Sequence, residues 1–263
     1  SASAHVIVST SDSAGKTIDN PTTFSLTEIE VGAFADIQFI HSDPTPGKRA
    51  TATLRFKTKG QVANGGKFVV ALPQLSSGLT QKGWRFESPA ITMQLPGNAI
   101  FNGSTSVSAA EHELTVVVTA GSLEHDTTYK FEITNVRTPS SVVELDTASS
   151  RITTFDPNGG MIDTATFQIA AVTVGTLSRL GSISKTATFD TKHDTPGISG
   201  IATVTFTTSG QVEIGGKILL VMPDLNEGSA VQAGWRFDNP TATFTTPSAG
   251  APAATASFDI GTR

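Results

Sequence analysis

The chain has 263 residues, a length that suits two domains of ordinary size. Charged residues make up only 16% of it and the net charge is −5, without a cluster of lysine or arginine, so neither a nucleic acid nor an anionic membrane surface is expected as a partner. It contains no cysteine and no apolar run of membrane-spanning length, which predicts neither disulfide bonds, nor a thiolate metal site, nor a membrane span.

The first segment, residues 1–32, resembles a segment further along the chain. Its Ser11–Asp19 stretch matches Phe155–Asp163, and the apolar residues that follow also correspond. The corresponding pairs are Phe24 and Phe167, Leu26 and Ile169, Ile29 and Val172, and Val31 and Val174. Residues 1–32 are therefore predicted to be the C-terminal strands of a preceding repeat, and a candidate donor segment.

Residues 33–174 are predicted to form a complete β-sandwich repeat. Apolar and polar residues alternate along 50–57, 114–119 and 129–134, which is typical of strands with one buried and one solvated face. The continuous apolar run 68–72 predicts a central strand that is covered on both faces. About eight strands are expected, a number typical of an immunoglobulin-like or related sandwich. Since helical periodicity is lacking, the chain is predicted to be all-β, with tandem antiparallel β-sandwich domains.

Residues 175–263 repeat the beginning of that unit and are predicted to form a second β-sandwich. Matches recur in the same order about 150 residues apart, a period that suits tandem domains. The matching segments are 43–47 and 194–197, 52–56 and 202–206, 60–67 and 210–217, and 83–89 and 234–240. Counterparts of residues 114–120 and 129–136 are missing, so this repeat is expected to lack its last strands.

The missing strands make assembly the leading expectation. Their six apolar side chains correspond to roughly 9–18 kcal/mol of burial, which rivals the net stability of a whole domain, about 5–15 kcal/mol. The strands are expected to come from the next repeat of a longer chain or, by strand addition, from another copy. Because residues 1–32 belong to the part of the unit that the second repeat lacks, we predict that copies join head-to-tail into a filament. Residues 1–32 would supply the final hairpin of the second repeat, but not the counterparts of residues 114–120 and 129–136.

One loop is a candidate metal site. Asp156, Asn158 and Asp163 supply oxygen atoms at a spacing that loosely resembles a calcium loop. Asn-Gly is also a strong signal for a hairpin turn, and the equivalent loop has Ala14 in place of Asn158. A hairpin turn is the favoured interpretation and calcium the alternative. No other cofactor is expected, and the sequence shows no catalytic motif, so the chain is not expected to be an enzyme.

Two further features concern glycans. Asn102 begins the permitted N-glycosylation sequon of the chain. Trp84 and Trp235 are candidate platforms for stacking on sugars. Since both occupy the same place in a repeated Gly-Trp-Arg-Phe motif, the favoured interpretation is a buried tryptophan with Arg85 or Arg236 exposed nearby. An adhesin or carbohydrate-binding module that recognises surface glycans is the alternative function.

The pattern of residues 202–208, of Gly215–Ile218 followed by Gly-Trp, and of residues 114–118 resembles that of large repetitive surface proteins of algae and other protists. It is also similar to bacterial adhesin stalks with immunoglobulin-like repeats. This resemblance implies secretion, extended rods of many domains, and roles in adhesion, cell covering or surface filaments. The leading prediction is a structural repeat module of an extracellular fibre or surface appendage.

Overall fold

A computed structural model gives the fold of the chain. The residues that it describes are 5–74, 83–96, 101–177, 187–193, 195–213, 215–222, 237 and 241–243. These residues form strands, turns and irregular segments without a helix, which confirms the all-β prediction. Within the same residues, no helix is long and apolar enough to cross a membrane. Trp235 and Arg236 lie outside the described residues.

Fourteen strands are described. They are β1 (His5–Ser11), β2 (Thr17–Ser25), β3 (Ala35–His41), β4 (Arg49–Lys57), β5 (Lys67–Ala71), β6 (Arg85–Phe86), β7 (Ile91–Leu95), β8 (Phe101–Val107), β9 (Glu113–Gly121), β10 (Thr128–Arg137), β11 (Asp146–Phe155), β12 (Met161–Ile169), β13 (Thr188–Thr191) and β14 (Ala202–Thr205).

The chain divides into two compact units, Ser1–Val174 and Gly175–Arg263. In the first unit, β1 and β2 form an antiparallel hairpin that is a sheet of its own, and β3 to β12 form one ten-stranded sheet. In the second unit, β13 and β14 pair antiparallel.

The ten-stranded sheet is nearly closed, like a barrel. Its strand order is β6-β10-β4-β3-β12-β11-β5-β9-β8, and β7 also pairs with β10. Apart from the parallel pair of β3 and β12, the described strand pairs of this sheet are antiparallel. The two ends of the sheet approach each other, since β7 contacts β8 and the Phe86 N–H donates to the Glu111 carbonyl at 2.7 Å.

A single hydrophobic core lies inside this sheet. The rings of Phe56 in β4 and Phe68 in β5 have centroids 5.9 Å apart, and those of Phe68 and Phe131 in β10 lie 5.2 Å apart. Three strands separate β4 from β5 in the sheet order, which would put them about 19 Å apart in a flat sheet. The sheet therefore folds back on itself, so that its strands face one another across the core.

The predicted alternation along 50–57, 114–119 and 129–134 is confirmed, because every second residue is buried from Ala52, Leu114 and Tyr129 onward, although Ala50 is only half-buried. β5 lies between β11 and β9, as expected for a central strand. Only its inner face is buried, however, since Val69 and Ala71 are partly exposed, so the prediction that both faces are covered is wrong. The described sheet also has ten strands where about eight were expected, since β6 and β7 are short additions along β10.

Candidate functional site: an assembly interface

The hairpin β1–β2 closes with a turn that one carboxylate organises. The Asp12 carboxylate accepts the N–H groups of Ala14 at 3.0 Å and of Lys16 at 2.8 Å. Gly15 has a φ of 80°, a left-handed conformation that glycine adopts without strain. The Asp12 N–H also donates to the Lys16 carbonyl at 2.8 Å. Local chemistry alone thus specifies this turn.

The hairpin β11–β12 closes with the same turn. The Asp156 carboxylate accepts the N–H groups of Asn158 at 2.8 Å and of Gly160 at 2.7 Å, and Gly159 has a φ of 89°. The Asp156 N–H donates to the Gly160 carbonyl at 2.8 Å. The favoured interpretation of this loop, a hairpin turn, agrees with this geometry.

A threonine–aspartate pair follows the turn in both hairpins. The Asp19 N–H donates to Thr10 Oγ1 at 3.1 Å, and the Asp163 N–H donates to Thr154 Oγ1 at 3.0 Å. In the first hairpin, the Thr10 hydroxyl also donates to the Asp19 carboxylate. Residues 10–19 thus repeat the backbone hydrogen bonds of residues 154–163, in the hairpin that ends the first unit.

The Asp163 carboxylate is completely buried and holds the turn after β4. It accepts the N–H of Lys59 at 3.0 Å and the N–H of Gly60 at 3.0 and 3.1 Å. A Cβ on Gly32 would lie 2.1 Å from Asp163 Oδ1, so glycine is required there. Gly32 is itself bonded to β12, through its N–H to the Ile162 carbonyl at 2.8 Å.

The three candidate calcium ligands therefore face different partners. Asp156 binds the N–H groups of its own turn, Asp163 binds the N–H groups of residues 59–60, and the Asn158 side chain is exposed. Among the described residues, no group of three or more His, Asp or Glu side chains is placed to hold a metal ion. Asp163 was predicted from the sequence as a candidate residue, but its contact with the backbone of residues 59–60 was not.

The two hairpins differ in what covers them. Throughout residues 6–31 the side chains are exposed, whereas the equivalent side chains of β11 and β12 lie in the core. The exposed fractions are 49% for Val8 and 0% for Ile152, 54% for Phe24 and 4% for Phe167, 55% for Leu26 and 2% for Ile169, and 96% for Ile29 and 1% for Val172. The first hairpin thus exposes side chains whose equivalents are buried in the first unit, and no strand of the described chain packs upon it.

The second unit starts as the first one does. Phe189 pairs with Val204 between β13 and β14, as Phe39 pairs with Leu54 between β3 and β4. The following turns also agree: Gly65 and Gly215 both have a φ of 85°, and the next N–H donates to the equivalent carbonyl at 2.9 Å in each. By their position in the sequence repeat, β13 and residues 217–221 correspond to β3 and β5, which flank the terminal hairpin in the first unit. Residues 217–221 are irregular and form no strand.

Residues 217–221 and the preceding turn of the second unit expose apolar side chains whose equivalents are buried in the first. Val212, Ile218 and Leu220 are 40–50% exposed. Their equivalents Val62, Phe68 and Val70 are completely buried. The chain thus carries an uncovered hairpin and, elsewhere, the uncovered surface against which such a hairpin packs.

Trp84 is a core residue, as the favoured interpretation has it. It is 4% exposed and packs edge-to-face against Phe39, with ring centroids 6.0 Å apart, and against His41 at 5.5 Å. The His41 ring nitrogens lie 2.6 and 2.9 Å from the Asp43 and Val136 carbonyl oxygens. Trp84 consequently offers no free ring face to a sugar.

The prediction that Arg85 is exposed is wrong. It is 6% exposed, because β6 lies along β10 and its guanidinium is placed 3.8 Å from the Glu87 carboxylate. Glu87 also forms a bidentate pair with Arg137, at 2.5 and 2.9 Å. An ion cluster therefore accounts for the arginine of this motif.

Asn102 lies on β8, the last strand in the sheet order, and its side chain is exposed. Glycosylation of this residue stays a prediction.

Tyr129 of β10 is buried, and its hydroxyl accepts the Glu124 N–H at 2.6 Å. Burial raises the pKa of the Tyr129 hydroxyl, because the phenolate loses its hydration.

No family model, no curated protein and no solved structure matches the chain.

Proposed function

We propose that the chain is a structural repeat module of an extracellular fibre or surface appendage, and not an enzyme. In this role, the hairpin β1–β2 supplies the terminal hairpin of a neighbouring repeat by strand addition. The neighbour is another copy, or an adjacent repeat of a longer chain. One observation carries the proposal: the turn of the hairpin has the same hydrogen bonds as the turn of β11–β12, but the apolar side chains of the hairpin are uncovered.

The uncovered face supplies a driving force for assembly. An isolated two-stranded hairpin is at best marginally stable in water. Full burial of a large apolar side chain is worth about 1.5–3 kcal/mol. Weighted by the exposed fractions of Val8, Phe24, Leu26 and Ile29, burial of the surface that these four side chains now expose is worth roughly 4–8 kcal/mol. Since interfaces also have an ordering cost, this is an upper bound on the net gain.

We further propose that each repeat is an immunoglobulin-like sandwich and that the repeats are arranged in tandem. The contacts of Phe68 with Phe56 and Phe131 across the core support a two-layered arrangement. The matching registers of β3–β4 and β13–β14 support a second copy of the same architecture. Secretion and exposure at a cell surface are proposed from the resemblance to repetitive surface proteins.

Electron microscopy and light scattering of the purified chain test the proposal. We expect particles that lengthen as concentration rises, because a head-to-tail interface leaves both ends open. A chain that stays monomeric at every concentration, with cooperative unfolding of both units, would contradict the proposal.

A further inference from the structure

We propose that the hairpin β1–β2 of one copy docks between β13 and residues 217–221 of a second copy, in the register that β11–β12 adopts in the first unit. This inference rests on the proposed function and specifies the partner, the orientation and the pairing. The first unit supplies the geometry: there, β11 runs antiparallel beside β5, and β12 runs parallel beside β3.

The register follows from the equivalent residues. In the first unit, Ile152 lies opposite Val70, both completely buried, and Arg151 lies opposite Ala71. In the docked hairpin, the equivalent pairs are Val8 with Leu220, Ile7 with Val221, and Ser9 with Leu219.

This register also determines which face of the docked strand each side chain occupies. Since successive residues of a strand face opposite sides, Val8 and Leu220 enter the core of the second unit. Ile7 and Val221 lie on its outer face, like Arg151 and Ala71. Phe24, now 54% exposed, takes the position that Phe167 occupies in the first unit.

Asp19 is the polar anchor of the docked hairpin. Its equivalent, Asp163, accepts the N–H groups of Lys59 and Gly60. The repeat places Ser209 and Gly210 at those two positions, so the Asp19 carboxylate accepts their N–H groups.

The glycine at this turn matches the same partner. A Cβ on Gly60 would lie 2.3 Å from Cγ2 of Ile162, so the first unit requires glycine where its terminal hairpin passes. The second unit keeps glycine at this position, as Gly210, and the first hairpin keeps isoleucine, as Ile18. The acceptor thus fits a hairpin of this chain's own sequence, which favours a second copy as the occupant.

Disulfide trapping tests the register, because the chain contains no cysteine of its own. Directly opposed residues on neighbouring strands lie within disulfide reach, while a two-residue slip puts them about 7–8 Å apart, beyond it. The matched variants of the full chain are I7C/V221C and S9C/L219C, which are in register, and I7C/L219C, which is slipped. All four residues alternate with Val8 and Leu220, so none of the variants replaces a side chain that points into the hydrophobic core.

We expect mild oxidation to shift most of the two in-register variants from monomer to a covalent ladder on non-reducing gels, and to leave the slipped variant largely monomeric. Mixing the single variants I7C and V221C should give a mixed covalent dimer, which only an intermolecular contact produces. A disulfide confined to single chains would overturn the second copy as occupant.

Two other outcomes separate this inference from the proposed function. If the wild-type chain forms filaments but the slipped variant links as well as the others, the register is wrong and the structural role stands. If the wild-type chain does not assemble at all, both are wrong. Asp19→Asn gives a second measurement: we expect assembly to weaken about tenfold or more, and unchanged assembly would remove Asp19 as the anchor.

Discussion

Phe24 offers the sharpest test of the interface, because its equivalent in the first unit, Phe167, is buried while Phe24 itself is exposed. Phe24 pairs with Val6 in the hairpin β1–β2, and Phe167 pairs with Ser150 in β11–β12. Phe24 is 54% exposed and Phe167 is 4% exposed. Phe24→Ala should therefore weaken assembly and leave the first unit stable, whereas Phe167→Ala should destabilise the first unit itself.

The magnitude follows from the exposed area. Burying the exposed half of a phenylalanine removes about 100 Å² of apolar surface from water, which is worth about 2–3 kcal/mol. Loss of that contribution weakens association roughly 30- to 150-fold. Phe167→Ala removes a seated side chain and leaves a cavity, so the free energy of unfolding should fall by about 3–5 kcal/mol.

Sedimentation velocity over a concentration series measures the first effect, and denaturant unfolding of both variants measures the second. Phe24→Ala should shift the concentration at which particles form upward, with the unfolding midpoint of the first unit unchanged. If Phe24→Ala assembles over the same concentration range as the wild type, the uncovered face is not the interface and the reasoning fails.

Four further predictions concern the described sites. Asp163→Asn should lower the free energy of unfolding of the first unit by about 1–3 kcal/mol, measured in urea, because the buried carboxylate holds two backbone N–H groups. Above the ordinary tyrosine pKa of about 10, folding keeps the Tyr129 proton that the unfolded chain releases, so stability should fall as pH rises there; a spectroscopic titration of this single tyrosine detects it, and Tyr129→Phe should reduce the alkaline loss. Expressed through a eukaryotic secretory pathway, the chain should carry a glycosidase-sensitive mass that Asn102→Gln abolishes. Added calcium or a chelator should leave the thermal midpoint unchanged, because Asp156 and Asp163 already accept N–H groups; a rise with calcium would restore the metal site.

Sequence periodicity correctly predicted which residues of a strand are buried where one face of the strand is exposed to solvent. Along 129–134, for example, every second side chain is buried as the alternation indicates. The continuous apolar run of β5 was misleading, because a strand of a nearly closed sheet keeps a partly exposed outer face even when its residues are apolar. An apolar residue in the sequence therefore does not show that its position is buried, because the curvature of the sheet determines which face of a strand is covered.

The hairpin of the candidate interface could be predicted from the sequence, but its anchoring contact could not. The correspondence of residues 11–19 with 155–163 identified the hairpin, since turn chemistry is local and both copies keep the aspartate and the glycine. The anchoring contact of Asp163 was not predictable, because it joins residues about 100 positions apart and nothing in the spacing of a carboxylate distinguishes a metal ligand from an acceptor of backbone N–H groups. Arg85 was misjudged for a similar reason: its burial depends on Glu87 and on the distant Arg137.

The equivalence of the two hairpins also says how assembly would proceed. The turn at Asp12 forms the same hydrogen bonds as the turn at Asp156, although no described strand packs on the first hairpin, so the shape of this turn does not depend on a partner. A preformed hairpin has less conformational entropy to lose on docking than a disordered strand, and more of its burial energy is then available as affinity. Packing therefore determines the surface on which the hairpin docks. The local hydrogen bonds of Asp12 and of the Thr10–Asp19 pair, together with the left-handed Gly15, determine the conformation of its turn.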